Sequence, residues 1–267
     1  MRSFLKALPY TSFLRCQASR WRTLRSIRQW SHSDQKALQF YSEFIRPGET
    51  CFDIGANCGN RTKVFKMLGA RVIAVEPQCR CASLLRSAFG KDSSVTVVES
   101  ACSDYHGRAE IKIASSHTVS SLSADWISAV KKTGRFGNIE WQEVADVAVT
   151  TLDSLICTYG DPVFIKIDVE GSEVDVLRGL TRTVPCLSFE FTPELMGAAL
   201  ECTRYLAALG FAHFNISDGE SMQLTYPQWL KPEQIVERLL TYAGNATFFG
   251  DVYARLEGRG GSTHSRC

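Results

Sequence analysis

At 267 residues, with 45% hydrophobic and 22% charged side chains, the chain has the composition of one large globular α/β domain with extensions. A net charge of +2 is too small for a nucleic-acid footprint, and no apolar run is long enough to cross a membrane. The ten cysteines are scattered, with no C-x-x-C pair, so they read as free thiols in a reducing, cytoplasmic setting rather than as a disulfide or zinc framework.

The N-terminus stands apart. Arg2, Lys6, Arg15, Arg20, Arg22, Arg25 and Arg28 are basic, and no acid precedes Asp34. Apolar residues such as Phe4, Leu8, Trp21 and Ile27 are interleaved with them. Three readings stay open for residues 1–33: an amphipathic helix giving peripheral membrane contact through residues 1–30, a targeting segment, or an amphipathic helix packed on the domain.

From there strands and helices alternate. Residues 50–54 read as a buried strand, 61–68 as a helix, 71–75 as a second strand and 81–89 as a helix stopped at Gly90. Residues 95–98 form a third strand, and 107–114 alternate like an edge strand. Residues 115–145, with His117, Trp126 and Trp141, interrupt the pattern as a polar and aromatic insertion of the kind that serves as a lid. Residues 147–151 and a turn at 152–156 lead to a strand at 163–169 and a helix at 173–180. A strand at 187–191, a helix at 193–209 and strands at 211–216 and 248–254 complete the series, before a Gly- and Ser-rich tail at 257–267 that is expected to be disordered. This alternation predicts a mostly parallel, doubly wound sheet with helices on both faces.

Two stretches carry chemistry. Asp53-Ile54-Gly55-Ala56-Asn57-Cys58-Gly59 follows the first strand and opens a helix, the place where such a sheet binds ligands. Its glycines allow a tight turn and a close approach to a ligand. Glu76 ends the second strand, where an acid meets ribose hydroxyls. A dinucleotide site calls for G-x-G-x-x-G, and the Asp53 carboxylate would repel a pyrophosphate but suits an ammonium group. In Val163-Phe164-Ile165-Lys166-Ile167-Asp168-Val169-Glu170, strand alternation would project Lys166, Asp168 and Glu170 to one side at the carboxyl end of a central strand. Charges there are costly unless paired or functional.

Together with Val75-Glu76-Pro77 and the run from Lys166 to Glu173, the loop resembles the FkbM family of methyltransferases, in order over about residues 40–255. The resemblance implies a Rossmann-like class I methyltransferase fold with a seven-stranded sheet and S-adenosylmethionine (SAM) as cofactor. It also implies methylation of a hydroxyl oxygen on a small acceptor such as a carbohydrate, glycolipid or natural product. It places Asp53, Gly55, Ala56, Asn57, Gly59 and Thr62 along the methionine side of SAM and Glu76 on its ribose. The chain departs from the family at Asn60-Arg61, where aromatics are common.

Methyl transfer to a hydroxyl needs alignment, exclusion of water and a destination for the proton. Asp168 and Glu170 are the leading bases, His117 is another, Lys166 would orient a carboxylate or bind an acidic substrate, and Glu190 borders the same cleft. No metal-ligand cluster stands out in the sequence. Two rival readings remain, an NAD(P)-dependent oxidoreductase and a non-catalytic SAM-fold binding module.

Overall fold

The computed structural model describes residues 23–25, 27–114, 120–135, 137, 139–245 and 248–257. His117, most of the basic N-terminal segment and the 258–267 tail lie outside the described residues.

The elements in chain order are α1 (His32–Tyr41), β1 (Thr50–Ile54), α2 (Asn60–Met67), β2 (Arg71–Val75), α3 (Cys79–Phe89), β3 (Val95–Val98), β4 (Ala101–Cys102) and β5 (Gly107–Ala114). They continue with α4 (Ala124–Thr133), β6 (Trp141–Thr150), α5 (Leu152–Tyr159), β7 (Phe164–Ile167), α6 (Glu173–Arg178) and β8 (Cys186–Phe191). A 3-10 turn (Pro193–Leu195), α7 (Met196–Leu209), β9 (His213–Asp218), α8 (Pro232–Tyr242) and β10 (Gly250–Arg255) close the chain.

Seven strands form one sheet in the order β3-β2-β1-β7-β8-β10-β9. Every pairing from β3 to β8 is parallel, and β10 runs antiparallel between β8 and β9. The order reverses between β1 and β7, which opens a crevice at the carboxyl ends of those two strands. This is the Rossmann-like class I methyltransferase arrangement.

Strand alternation sorts the side chains into two cores. Phe52, Ile54, Ile165, Ile167, Leu187 and Phe189 pack with α5, α6, α7 and α8. Cys51, Val72, Ala74, Phe164 and Tyr253 pack with α1, α2 and α3. The central strands are buried on both faces, which is why they read as nearly continuous apolar runs. Ile27 joins the second core and Arg28 donates to the Ser87 carbonyl at 3.3 Å, so the last turn before α1 rests on the domain.

Four local expectations change. Residues 152–156 are the start of a helix rather than a turn, because Thr151 caps it by accepting from the Ser154 amide. The alternating segment 107–114 is not an edge of the main sheet; β5 pairs antiparallel with β6 in a separate three-stranded sheet with β4. Within the expected insertion, α4 and the start of β6 are regular elements, and Trp126, Ile127 and Val130 form a small core with Ala114. Finally, β7 ends at Ile167, so strand alternation does not place Glu170. Its backbone is left-handed (φ 58), and a loop turn aims its carboxyl group.

Candidate active site

A cavity of ≈ 310 Å³ crosses the carboxyl ends of the central strands, within the range of small-molecule sites. Three non-glycine residues among the described residues have positive φ, and two of them, Asn57 and Glu170, line it. Such strain concentrates at functional sites.

The first wall is the β1–α2 loop. Gly55 has φ +80, and a Cβ there would lie 1.8 Å from the Asp168 carbonyl oxygen, so only glycine lets β1 and the end of β7 close together. Gly59 caps α2 with φ 89, and a Cβ would strike Leu85 and Phe89 of α3. It does not line the cavity, and neither does Thr62. Thr62 is buried and donates its hydroxyl to Asp53 Oδ2 at 2.6 Å. Asp53 is 2% exposed; burial raises its pKa against the Thr62 hydrogen bond and the nearby charges of Lys166 and Arg61. A buried carboxylate of this kind, facing a cavity, is suited to a cationic ligand group.

Glu76 sits one strand over. Its Oε2 accepts from the Asn57 amide and its Oε1 from the Gln78 amide, both at 2.8 Å. Burial pushes its pKa up to about 7, with those two amides pulling the other way. The two bonds orient the carboxylate and leave further lone pairs for a ligand hydroxyl. Beyond Glu76 the cavity continues past Ser100, Ala101 and Cys102 to Ile111, Ser120 and Leu122. Sequence reasoning passed over this end of the site, because nothing local marks the residues after β3 as a wall and the last three come from the smaller sheet and the insertion.

The opposite end lies at β7 and β8. Lys166, 3% exposed, contacts Asp168 Oδ2 at 3.0 Å and Asp251 Oδ1 at 3.4 Å. Asp168, Glu170 and Glu190 all line the cavity, and oxygens of the three lie within 4.8 Å of one another, a spacing that one divalent cation would bridge. Burial, then the charge of Asp168, holds both Glu170 and Glu190 well above the ordinary carboxylate range. Three carboxylates this close cannot all ionise without a counter-charge.

The loop that carries them is braced. Glu173 Oε1 accepts from the Val169 and Gly171 amides at 3.2 Å, and Ser121 Oγ donates to the Glu170 carbonyl at 2.6 Å. A Cβ on Gly171 would lie 2.4 Å from Trp126 Cβ, so α4 packs directly on the loop. Arg135 then fastens the end of this segment through a two-point ion pair with Glu194, 2.7 and 3.0 Å, and a bond to the Phe248 carbonyl.

Strand order therefore sets the order of the acidic side chains across the cavity. Glu76 lies at β2, Asp53 at β1, and Asp168 and Glu190 at β7 and β8. Glu76 and Asp53 thus stand at the ends of neighbouring strands, and the carboxylate group lies next to Asp53. These residues fit SAM, which presents ribose hydroxyls and a methionine ammonium group.

No curated protein matches the sequence. Solved structures with a similar fold include a precorrin-6y C5,15-methyltransferase from Geobacter metallireducens (9% identity, TM-score 0.44, 84% of this chain and 87% of that one). A putative RNA methyltransferase from Pyrococcus horikoshii gives 10% identity and a TM-score of 0.43 over 88% of each chain. A TehB-like SAM-dependent methyltransferase from Corynebacterium glutamicum gives 10% and 0.44 over 92% of this chain and 99% of that one. Residues 53–211, more than half of the chain and the span from Asp53 through the Asp168–Glu173 loop, match the methyltransferase FkbM domain. The chain belongs to the FkbM family of SAM-dependent methyltransferases.

Proposed function

We propose that this protein methylates a hydroxyl oxygen of a small polar acceptor, a carbohydrate, glycolipid or natural product. The observation that carries the reading is the convergence of Asp168, Glu170 and Glu190 beside the Asp53 end of the cavity. When bound there, SAM supplies an electrophilic methyl group on a sulfonium. A hydroxyl acceptor then needs a place for its proton, and the carboxylates are acceptors of protons.

In this reading Asp53 holds the methionine ammonium and Thr62 holds Asp53. The backbone of Gly55, Ala56 and Asn57 lines the same side, Gly59 sets the helix that follows, and Glu76 takes the ribose hydroxyls. The Asp168–Glu170 pair receives the acceptor proton, with Lys166 orienting Asp168. Ser120 and Leu122 cover one side of the cavity, in keeping with the 115–145 insertion shielding the reaction from water. The acidic lining opposes a phosphate-rich acceptor, so a hydroxylated small molecule is favoured over nucleic acid. Among the described residues no helix is long and apolar enough to cross a membrane. Membrane contact through residues 1–30 is a separate proposal, tested by vesicle co-sedimentation of the full chain and of a chain lacking them.

The test is methyl transfer from SAM carrying an isotopically labelled methyl group to panels of glycans, glycolipids and natural products, with mass spectrometry locating the label. Asp168→Asn and Glu170→Gln keep shape and remove charge. At least one is expected to bind SAM normally and lose about 100-fold or more in single-turnover rate. Label found only on carbon, nitrogen or RNA would refute the reading, as would near-normal rates in both variants.

A further inference from the structure

Arg61, on the first turn of α2, lines the same cavity as Asp53. Its side chain is only 16% exposed, yet its carboxylate partner is Glu220, 66% exposed on the loop after β9. Arg61 Nε is buried with no hydrogen-bond partner, and the guanidinium sits 6.0 Å from the centroid of the Tyr41 ring. Lys166, the other cation among the described lining residues, is already engaged by Asp168 and Asp251. A fork built for two-point carboxylate binding is thus held in the wall by packing, while its partner is a mobile type of side chain in water. An ion pair with so exposed a carboxylate is weak and readily exchanged.

Arg61 is also close enough to Asp53 to act on its ionisation. An α-amino acid carries its ammonium and carboxylate on one carbon, so a site that binds the first must offer a partner for the second nearby. We propose that Arg61 binds the methionine carboxylate of SAM and that Glu220 occupies that carboxylate's place until the cofactor displaces it. The proposal rests on the cofactor reading above and assigns a role to the position where the chain departs from its family. Exchange leaves Glu220 free in water and exchanges one carboxylate on Arg61 for another, so the guanidinium is never left buried without a counter-ion.

The experiment compares ligands that differ only at this group. The unaltered protein, Arg61→Met and Glu220→Gln are titrated with SAM, with decarboxylated SAM and with 5′-methylthioadenosine, which lacks the amino-acid end. Arg61→Met is expected to weaken SAM about 10- to 100-fold, the loss of a charge-assisted pair. It is expected to change decarboxylated SAM less than about twofold, which also shows that the variant is folded. Glu220→Gln, by removing the competitor, is expected to tighten SAM and leave 5′-methylthioadenosine unaffected. Equal losses for SAM and decarboxylated SAM in Arg61→Met, or no loss for either, would overturn the proposal. If the unaltered protein binds none of the three, the cofactor reading falls and the proposal with it.

Discussion

Replacing Gly55 by alanine tests how tightly the cofactor loop is tied to the carboxylate loop. The added Cβ would lie 1.8 Å from the Asp168 carbonyl oxygen and 2.8 Å from its carbon. Relieving that overlap needs a separation of more than about 1 Å, given ordinary van der Waals contact. The Asp168 amide bonds the Ile54 carbonyl at 2.9 Å, so the same separation breaks a buried hydrogen bond between β1 and the end of β7. Left-handed backbone costs a non-glycine residue about 1–2 kcal/mol. Leaving a buried backbone pair unmade adds about 1–3 kcal/mol. Gly48 is the control, because its φ is +83 and a Cβ there meets nothing within 4 Å. Gly48→Ala should therefore cost only the conformational part, and Gly55→Ala about 2–5 kcal/mol, or about 10 °C in melting temperature at this chain length. Thermal and denaturant unfolding of both variants measure this, and SAM titration of Gly55→Ala should show weakened binding because Asp53 and the Asn57 amide share the loop. Equal melting temperatures for the two variants would refute the close approach.

The remaining predictions concern the site. Asp53→Ala and Glu76→Ala should each weaken SAM by about 1–3 kcal/mol in calorimetric titration; unchanged affinity in both would remove these residues from the cofactor site. Burial raises the Glu76 pKa from 4.5 to about 7, so at acidic pH its carboxyl group is protonated and a poorer acceptor for ribose hydroxyls. SAM affinity should rise as pH increases through about 7, and Glu76→Gln should flatten that dependence. The same raised pKa favours the protonated folded state, so the stability it contributes is present below 4.5 and lost as pH rises through about 7. Without ligand, Glu76→Gln should reduce the fall in melting temperature over that window. Arg135→Ala leaves Glu194, with its side chain 1% exposed, without its ion-pair partner, at about 3–5 kcal/mol. Hydrogen exchange should then speed up in α4 before the central strands, and equal protection of α4 in both proteins would show that the pair does not hold the segment.

Much of the frame is local and therefore legible in the residue order. β1, β2 and β7 are apolar because both faces of a central parallel strand are covered, and Gly55 marks the end of β1 because turn geometry restricts that position. Those local constraints, with the family resemblance, were enough to indicate the sheet and its Rossmann-like arrangement. Tertiary structure alone decided what meets across the cavity. Glu170 is aimed by a left-handed turn braced by Ser121 and Trp126, whereas a strand pattern assigns it to the wrong kind of backbone. Glu190, whose strand-end position already pointed to this cleft, comes within reach of Asp168 and Glu170 because β8 lies beside β7, whereas Glu220 reaches Arg61 across 159 residues of chain. The Arg61–Glu220 approach leaves no periodic or spacing signal, since it depends on loop closure between distant segments. Ion pairing and carboxylate repulsion act over a few ångströms of space, whatever the separation along the chain.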